Sequence, residues 1–567
     1  MKPLDMFRWL LPATLVAAAA QAQTVVVPDD FPTIQQAVAS GADTVLVKDG
    51  SYPETVVLDQ PVALLAFEPP YPYDAAAAFP VVSGLVVGPV VSPGAAQVRG
   101  FRFTGPVLLR NPFGGSDLVL LLEECRLEGG LARDEAVAMT SKLRLRGCLV
   151  YAGAVVSAYS YDVSGNAFIA CGLVAHHEGY GLIRGNDFSG PAAFAVHAQA
   201  NESGLEITDN QVRGTVNGIV LVNPSQSLVR GNRVSDCAGD AYRATNGGIA
   251  TFADDEATVC AGSGFVLEVL SAEVTGCTVT NAGGDGVRFT GSEARLHDNR
   301  VDTVSGYGIR VTSGYASQCY QNRVVRAGQQ GIRLAEAGAV HGNVVGRSAG
   351  AGLVVLGAAD HLAIHHNTSY LNGGPGYEIH GAAGDSVTND IAHGNLGYGL
   401  DWTGSAPFVG CNDWFGNTLG RTHGTPPGPT DIEENPLFCD LPNDDVMIGA
   451  ASPCAETGTG CGRIGALDVG CTQAAGVPGG GSAAFAAWPR PATGGVRFAW
   501  PRLQERAALE VFDAAGARRW STSVPAGSGG LAWDGRGPDG ARLPAGVYFA
   551  RLSGPRRSDE QRIVLAH

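Results

Sequence analysis

Along most of the chain, a small residue followed by an apolar one returns at a nearly fixed interval. GDGVRF begins at Gly284, GYGIRV at Gly306, QQGIRL at Gln329, GAGLVV at Gly350, GPGYEI at Gly374 and GYGLDW at Gly397. The apolar positions are Val287, Ile309, Ile332, Leu353, Tyr377 and Leu400, in steps of 22, 23, 21, 24 and 23 residues. Upstream the same position falls on Phe265, Tyr242, Ile219, Val196, Leu173, Val155, Leu131, Val107 and Leu85. Between repeats the pattern alternates, as in Gly308-Ile309-Arg310-Val311. Alternation is the period of a strand with one buried face. A period in the low twenties without a helical stripe predicts a solenoid whose repeats bury a shared core by stacking.

A second file narrows the choice. Some 11 to 14 residues after most apolar positions comes an asparagine: Asn166, Asn186, Asn210, Asn232, Asn299, Asn322, Asn343, Asn367, Asn389 and Asn412. Cys125, Cys148, Ala257 and Cys277 take that place in other repeats. Asparagine tolerates the left-handed backbone of a sharp corner, and stacked amides could bond from coil to coil. Leucine-rich repeats of similar length would show a denser leucine frame. The expected fold is all-β, a right-handed parallel β-helix of about fifteen coils.

The ends of the chain depart from this pattern. Residues 1–22 read as a secretory signal: Lys2 and Arg8 precede an apolar run from Trp9 to Ala20, and Ala20-Gln21-Ala22 is a small-x-small cleavage site. No other stretch is long and apolar enough to span a bilayer. The protein is therefore expected to be secreted or at the cell surface, where disulfides are the default for a chain with twelve cysteines. They are expected chiefly in the 411–471 closure, with inward-facing cysteines such as Cys125, Cys148 and Cys171 equally able to stack as free thiols. Residues 23–471 form the solenoid, with a short helix at Ile34–Ala39 capping the first coil. Cys411, Cys439, Cys454, Cys461 and Cys471 lie in a closure over the far end. Cys454 with Cys461 and Cys411 with Cys439 are plausible pairs, and five cysteines leave one over. Residues 472–484, TQAAGVPGGGSAA, are a linker by composition. Residues 485–567 carry twelve Arg against seven Asp or Glu, a net of +5, so 485–567 is basic. Its runs ALEVFD, GLAWD and GVYFARL predict a small antiparallel β-sandwich. A formal charge of −16 for the whole chain argues against nucleic acid as a partner.

Two segments resemble known families. Phe31-Pro32-Thr33-Ile34-Gln35-Gln36-Ala37 followed by Asp49-Gly50-Ser51-Tyr52-Pro53-Glu54 resembles the entry of pectin-lyase-like β-helix proteins. The resemblance implies a cap and first coil, and it extends with the repeats to about residue 470. The catalytic signatures of pectin methylesterases, polygalacturonases, pectate lyases and mannuronan epimerases are not matched; the paired Asp254-Asp255 is the one fragment of a polygalacturonase pattern. In the basic segment, Val511-Phe512-Asp513, Trp533-Asp534-Gly535 and Ala545-Gly546-Val547-Tyr548-Phe549 resemble the immunoglobulin-like domain of flagellar hook-capping proteins and the sorting domains of type IX secretion. That resemblance implies attachment to the cell envelope or secretion machinery through 485–567. Pro489-Arg490-Pro491 stands where those sorting domains usually open with Pro-Asn-Pro.

Candidate chemistry lies on the strand that follows each small-apolar pair. The next residue points outward, and so does the one two further on. Arg288, Arg310 and Arg333 share the first outward position in consecutive coils, with Arg243 nearby, and Thr290 and Thr312 share the second. Coils about 4.8 Å apart would make the arginines a ladder about 10 Å long, suited to the carboxylates or sulfates of an acidic polysaccharide. Glu378, His380 and Asp401 fall on the same face and carry the groups of general acid–base chemistry, as in a polysaccharide lyase or glycoside hydrolase. The alternatives are therefore a polysaccharide-binding protein without catalysis and an enzyme on uronic-acid-containing glycan. No cofactor is expected. Asp254-Asp255-Glu256 and Asp440 to Asp445 are acidic loops that could hold calcium, with solvated turns the simpler reading. His365-His366 and Asp360 fit a corner and no metal.

Overall fold

In the computed structural model, the described residues are 22–68, 78–88, 94–110, 118–133, 142–200, 204–313, 315, 317–472, 485–488, 495–500, 503, 505–513, 516–554 and 557–566. The signal, most of the linker and Pro489-Arg490-Pro491 lie outside them. Forty-seven strands join one parallel network, in which each strand pairs with its counterparts one turn before and after. The result is a parallel β-solenoid of about 18 turns. The excess over about fifteen comes from the entry, where Thr24–Val27, Thr44–Val47 and Ala63–Ala66 stack in register without the glycine signal.

Three faces alternate around each turn, as in the consecutive strands Ile309–Ser313 on the first, Ser317–Tyr320 on the second and Arg323–Ala327 on the third. The first carries the small-apolar repeat, and Val287, Ile309, Ile332 and Leu353 are buried on it in one register file. In one coil the file falls on Ala154, not Val155: Ala154 pairs with Leu131 and Leu173 and is buried, while Val155 is half-buried. Where the file becomes aromatic, Tyr242 stacks on Phe265 at 4.6 Å. The buried Tyr242 hydroxyl donates within reach of the Asn232 and Glu256 carbonyls at 2.8 and 3.0 Å, so the polar tip is satisfied inside the core.

The corner ladder forms, with two shifts of register. Asn299 Nδ2 donates to Asn322 Oδ1 at 3.0 Å, and Asn322 Nδ2 to Asn343 Oδ1 at 3.0 Å. Upstream, Asn166, Asn186, Asn210 and Asn232 continue it, and the Cys148 amide donates to Asn166 Oδ1. Asp255 and Asp390, rather than Ala257 and Asn389, occupy their rungs. Nor do the rung residues take the left-handed backbone. That conformation belongs to the residue before each rung, as at Asp298 with φ 57° and Gln321 with φ 55°. The rung side chain is thereby turned inward and buried, with the asparagine amides paired and Oδ2 of Asp255 and Asp390 left without a partner among the described residues.

The entry motif has a mechanical explanation. The helix Ile34–Ala39 is capped by Thr33, and both carboxylate oxygens of Glu54 accept the Ile34 and Gln35 amides at 2.9 and 3.0 Å. A carboxylate there meets unpaired amides and the positive end of the helix dipole. Gln35 in turn bonds the Val57 backbone on both sides. The helix is thus fastened over the first coil.

At the other end, the closure does two things. Asp431 adds a last rung, accepting from Asn412 at 3.0 Å and from the Trp414 indole at 2.7 Å. The chain then turns back along the third face instead of only sealing the end. Phe438, Val446, Ile448 and Ile464 pack on Val344, Tyr370 and Ile391. Disulfides join Cys411 to Cys461 and Cys439 to Cys471, and Cys454 is the thiol left over. A further disulfide links Cys237 and Cys260 on adjacent coils, whereas Cys125, Cys148 and Cys171 remain thiols. Beyond the linker, two small antiparallel sheets of three and four strands share one core that includes Phe498, Leu509, Val511, Trp533 and Leu552. This unit touches the solenoid, where Arg497 donates to the Gly373 carbonyl at 2.8 Å.

Candidate ligand-binding face

The first face sets its outward residues in one continuous file. Strand pairing puts Arg243, Val266, Arg288, Arg310, Arg333, Val354, Glu378, Asp401 and His423 side by side in that order. A spacing of about 4.8 Å per strand makes this file roughly 38 Å long. Its chemistry is polarised, with cationic groups at one end and carboxylates at the other.

The arginines are not equivalent. Arg243 is engaged by Asp240 at 3.2 Å and Glu268 at 3.7 Å. Arg310 lies over the Tyr307 ring at 4.8 Å and has Asp285 only at 3.9 Å, while its buried Nε has no hydrogen-bond partner among the described residues. For Arg288 and Arg333, both partly exposed, the described residues supply no ion-pairing carboxylate. Val266 and Val354 have no accessible surface although they point outward. Long charged side chains flank both, as expected where arginine stems lie along apolar neighbours.

The threonines are less available than their spacing implies. A register shift follows Phe289, and the Thr290 and Thr312 hydroxyls bond to each other at 2.5 Å. Thr312 also donates to the Phe289 carbonyl at 3.2 Å. Each hydroxyl has a competitor for any sugar.

At the acidic end, Glu378 and Asp401 are direct register partners. His380 Nε2 is 4.0 Å from Glu378, and Asp401 Oδ1 is 2.9 Å from His423 Nδ1. The His423 ring stacks on Tyr398 at 4.9 Å. His423 was missed in the sequence because the Gly-x-Gly signal fades after Leu400. A further step of 22 residues from Asp401 would have reached it. Carboxylates, imidazoles and a nearby row of arginines can accept sugar hydroxyls, exchange protons and hold anions.

The remaining candidates fall elsewhere. His365 lies on the second face in a stacked column, His297–Tyr320–His341–His365, with rings 4.6 to 5.0 Å apart. Burial pushes the imidazoles of His341 and His365 below their usual range. His366 sits at the corner with φ 54°, its Nδ1 3.0 Å from that of His365; the Asp360 side chain lies outside the described residues. Asp255 of the acidic loop is a buried ladder rung, and Asp444 of the second loop is gripped by Arg326 and Arg347. Asp254, Asp440 and Asp445 beside them are exposed, as in solvated turns. A shallow polar groove of about 390 Å³ on the third face runs beside Gln211, Arg213, Arg233 and Glu256.

The family described as "right handed beta helix region" matches residues 143–297 and again 271–413. The two matches overlap and lie wholly within the parallel β-solenoid. No curated protein matches the chain in sequence. Among solved structures, the chain is similar to PorZ, a surface component of the type-IX secretion system of Porphyromonas gingivalis, at 22% identity and TM-score 0.13. That match covers 15% of this chain and 11% of the other. The β-helix is similar to the A-module of the Azotobacter vinelandii mannuronan C-5 epimerase AlgE6, at 12% identity over 71% of this chain and 93% of that one, TM-score 0.25. It is also similar to the catalytic unit of a GH87 α-1,3-glucanase from Streptomyces thermodiastaticus, at 12% identity over 74% and 71%, TM-score 0.25.

Proposed function

We propose that this chain is an exported β-helix protein that binds an acidic polysaccharide along its first face. The observation that carries the reading is the row Arg288–Arg310–Arg333. Three cations at one register position, two of them without an ion-pairing carboxylate among the described residues, stand on a chain that is otherwise acidic. Like charges about 4.8 Å apart repel, and an anionic chain laid along the axis relieves that repulsion. Guanidinium groups bind carboxylate or sulfate through paired hydrogen bonds. In this reading residues 1–22 direct export, and the immunoglobulin-like unit at 485–567 attaches the solenoid to the envelope or to secretion machinery.

The test is titration of the purified protein with polyuronate and with a sulfated glycan. Binding is expected to weaken with added salt, because exposed charge contacts are screened. Replacing Arg288, Arg310 and Arg333 together with serine should abolish binding without moving the thermal transition. Undiminished binding in that variant would refute the reading.

A second reading, that the face cleaves glycan as a lyase or glycoside hydrolase, draws on the adjacency of Glu378 and Asp401, each with its own histidine. Release of reducing or unsaturated ends, lost in Glu378→Gln or Asp401→Asn, would establish it. Intact substrate chains after prolonged incubation would rule it out.

A further inference from the structure

The file on the first face changes sign along its length. Arg288, Arg310 and Arg333 occupy three consecutive strands, Val354 separates, and Glu378 and Asp401 occupy the next two. The nearest arginine and carboxylate, Arg333 and Glu378, are two strands apart, roughly 10 Å, and no ion pair joins the two halves among the described residues. Each carboxylate instead meets an imidazole, and no arginine of the file reaches either of them. The acidic half therefore presents negative charge to whatever lies on the file.

A uniformly charged polyuronate fits this badly. Laid along the axis, it would place carboxylates over the arginines and further carboxylates over Glu378 and Asp401. We infer that the face is built for a glycan whose acidic block ends upon it, with acidic residues over Arg288–Arg333 and uncharged sugars over Glu378, Asp401 and His423. Carboxylate oxygens accept hydrogen bonds from the hydroxyls of a neutral sugar and repel a uronate. Buried Val354 supplies an uncharged step at the boundary. Glu378 and Asp401 thus act as specificity determinants, reading where charge stops. This inference rests on the proposed glycan-binding role of the arginine row, and it assigns the opposite half of the same file.

The experiment uses the full exported chain and three forms of one polymer: fully acidic polygalacturonate, blockwise methyl-esterified polymer, and fully esterified polymer. Esterification removes the charge and keeps the backbone. The wild-type protein should bind the blockwise polymer more tightly than the fully acidic one, and the fully esterified one least. The double variant Glu378→Gln/Asp401→Asn should lose that preference by gaining about three- to tenfold affinity for the fully acidic polymer, the range expected for removing two exposed like-charge contacts. Both side chains are about one-third exposed, so the variant should keep the wild-type thermal transition. Equal or tighter wild-type binding to fully acidic polymer, unchanged in the double variant, overturns the inference while leaving acidic-glycan binding intact. Binding to none of the three forms overturns both.

Discussion

Asp390 stands where an asparagine would complete the corner ladder: Asn367 Nδ2 donates to its Oδ1 at 2.9 Å, while its buried Oδ2 has no partner among the described residues. In neighbouring coils the second polar atom of the rung is an amide nitrogen that donates to a backbone carbonyl, as Asn343 does to Cys319 at 2.8 Å. Only a protonated carboxyl reproduces that donor. Burial accordingly pushes Asp390 up to about 8, against relief from the Asn367 bonds, and Asp255, in the same situation, to about 7.

The sign of the pH dependence follows. Both folded-state pKa values lie above the ordinary 3.8, so the folded chain holds protons that the unfolded chain releases. Their stabilisation is complete below about pH 4 and is lost as pH rises toward about 7 for Asp255 and about 8 for Asp390. The double variant Asp255→Asn/Asp390→Asn should restore permanent donors. Thermal unfolding between about pH 5 and 9 should show a downward slope in the wild type that is shallower in the variant. At the alkaline end the variant should be more stable by about 1–3 kcal/mol per rung, the scale of a buried unsatisfied polar group. Parallel curves would show that both carboxyls ionise at no cost.

Inward and outward residues of the first face should separate cleanly. Ile309 is completely buried, so Ile309→Ala should cost about 2–5 kcal/mol, because the flanking coils cannot collapse into the vacated space. Arg310→Ala, on the next residue of the same strand, should change stability by less than about 1 kcal/mol. Chemical denaturation of the two variants checks this, and comparable losses would mean that the alternation does not describe a buried and a solvated face.

That alternation is why so much of the solenoid was legible. Gly308-Ile309-Arg310-Val311 declares its strand, its buried side and its neighbours at once, since a fixed step in sequence becomes a fixed register in space. The arginine row could be read from the same arithmetic. What the arithmetic could not supply was the local state of each side chain. Asp240 and Glu268 occupy Arg243, and the Thr290–Thr312 contact depends on a register shift that spacing does not reveal. The ladder was misplaced at Ala257 and Asn389 because Asp can serve as an Asn-like rung once it is protonated in the core. The closure was least legible, since cysteine spacing says nothing about which way a loop folds back.

The cysteines provide an independent check on that closure. Peptide mapping of the non-reduced protein should recover Cys411–Cys461, Cys439–Cys471 and Cys237–Cys260. Cys454 should be found as a thiol that resists alkylation until the chain unfolds. It is completely buried and donates to Asp413 Oδ2 at 3.1 Å, and burial together with the Asp413 charge pushes the thiol well above its usual range. Reactivity requires the thiolate, which that site suppresses. Rapid labelling of Cys454 in the native protein, or a Cys454–Cys461 bridge, would contradict this arrangement.

Asp444 should decide whether the closure stays on the third face. Its carboxylate pairs with Arg326 and Arg347, each at 2.5 Å, and accepts the Tyr370 hydroxyl at 3.2 Å. Burial alone would raise its pKa, but Arg347 and Arg326 outweigh it and hold the carboxyl below the usual range. Its folded pKa is depressed, so its stabilisation is present above the unfolded value and is lost as pH falls through the folded one. Asp444→Ala would leave the guanidinium of Arg347, itself only 7% exposed, buried without that carboxylate, and breaking such a pair costs about 3–5 kcal/mol. Two disulfides would still tether the segment, so the expected outcome is local release, not global unfolding. Limited proteolysis should cut the variant within residues 436–460 while the solenoid keeps its main thermal transition. Asp444→Asn, which can still accept hydrogen bonds, should fall between the variant and the wild type. Wild-type resistance in Asp444→Ala would show that the apolar contacts of Phe438, Val446 and Ile448 hold the closure without the clamp.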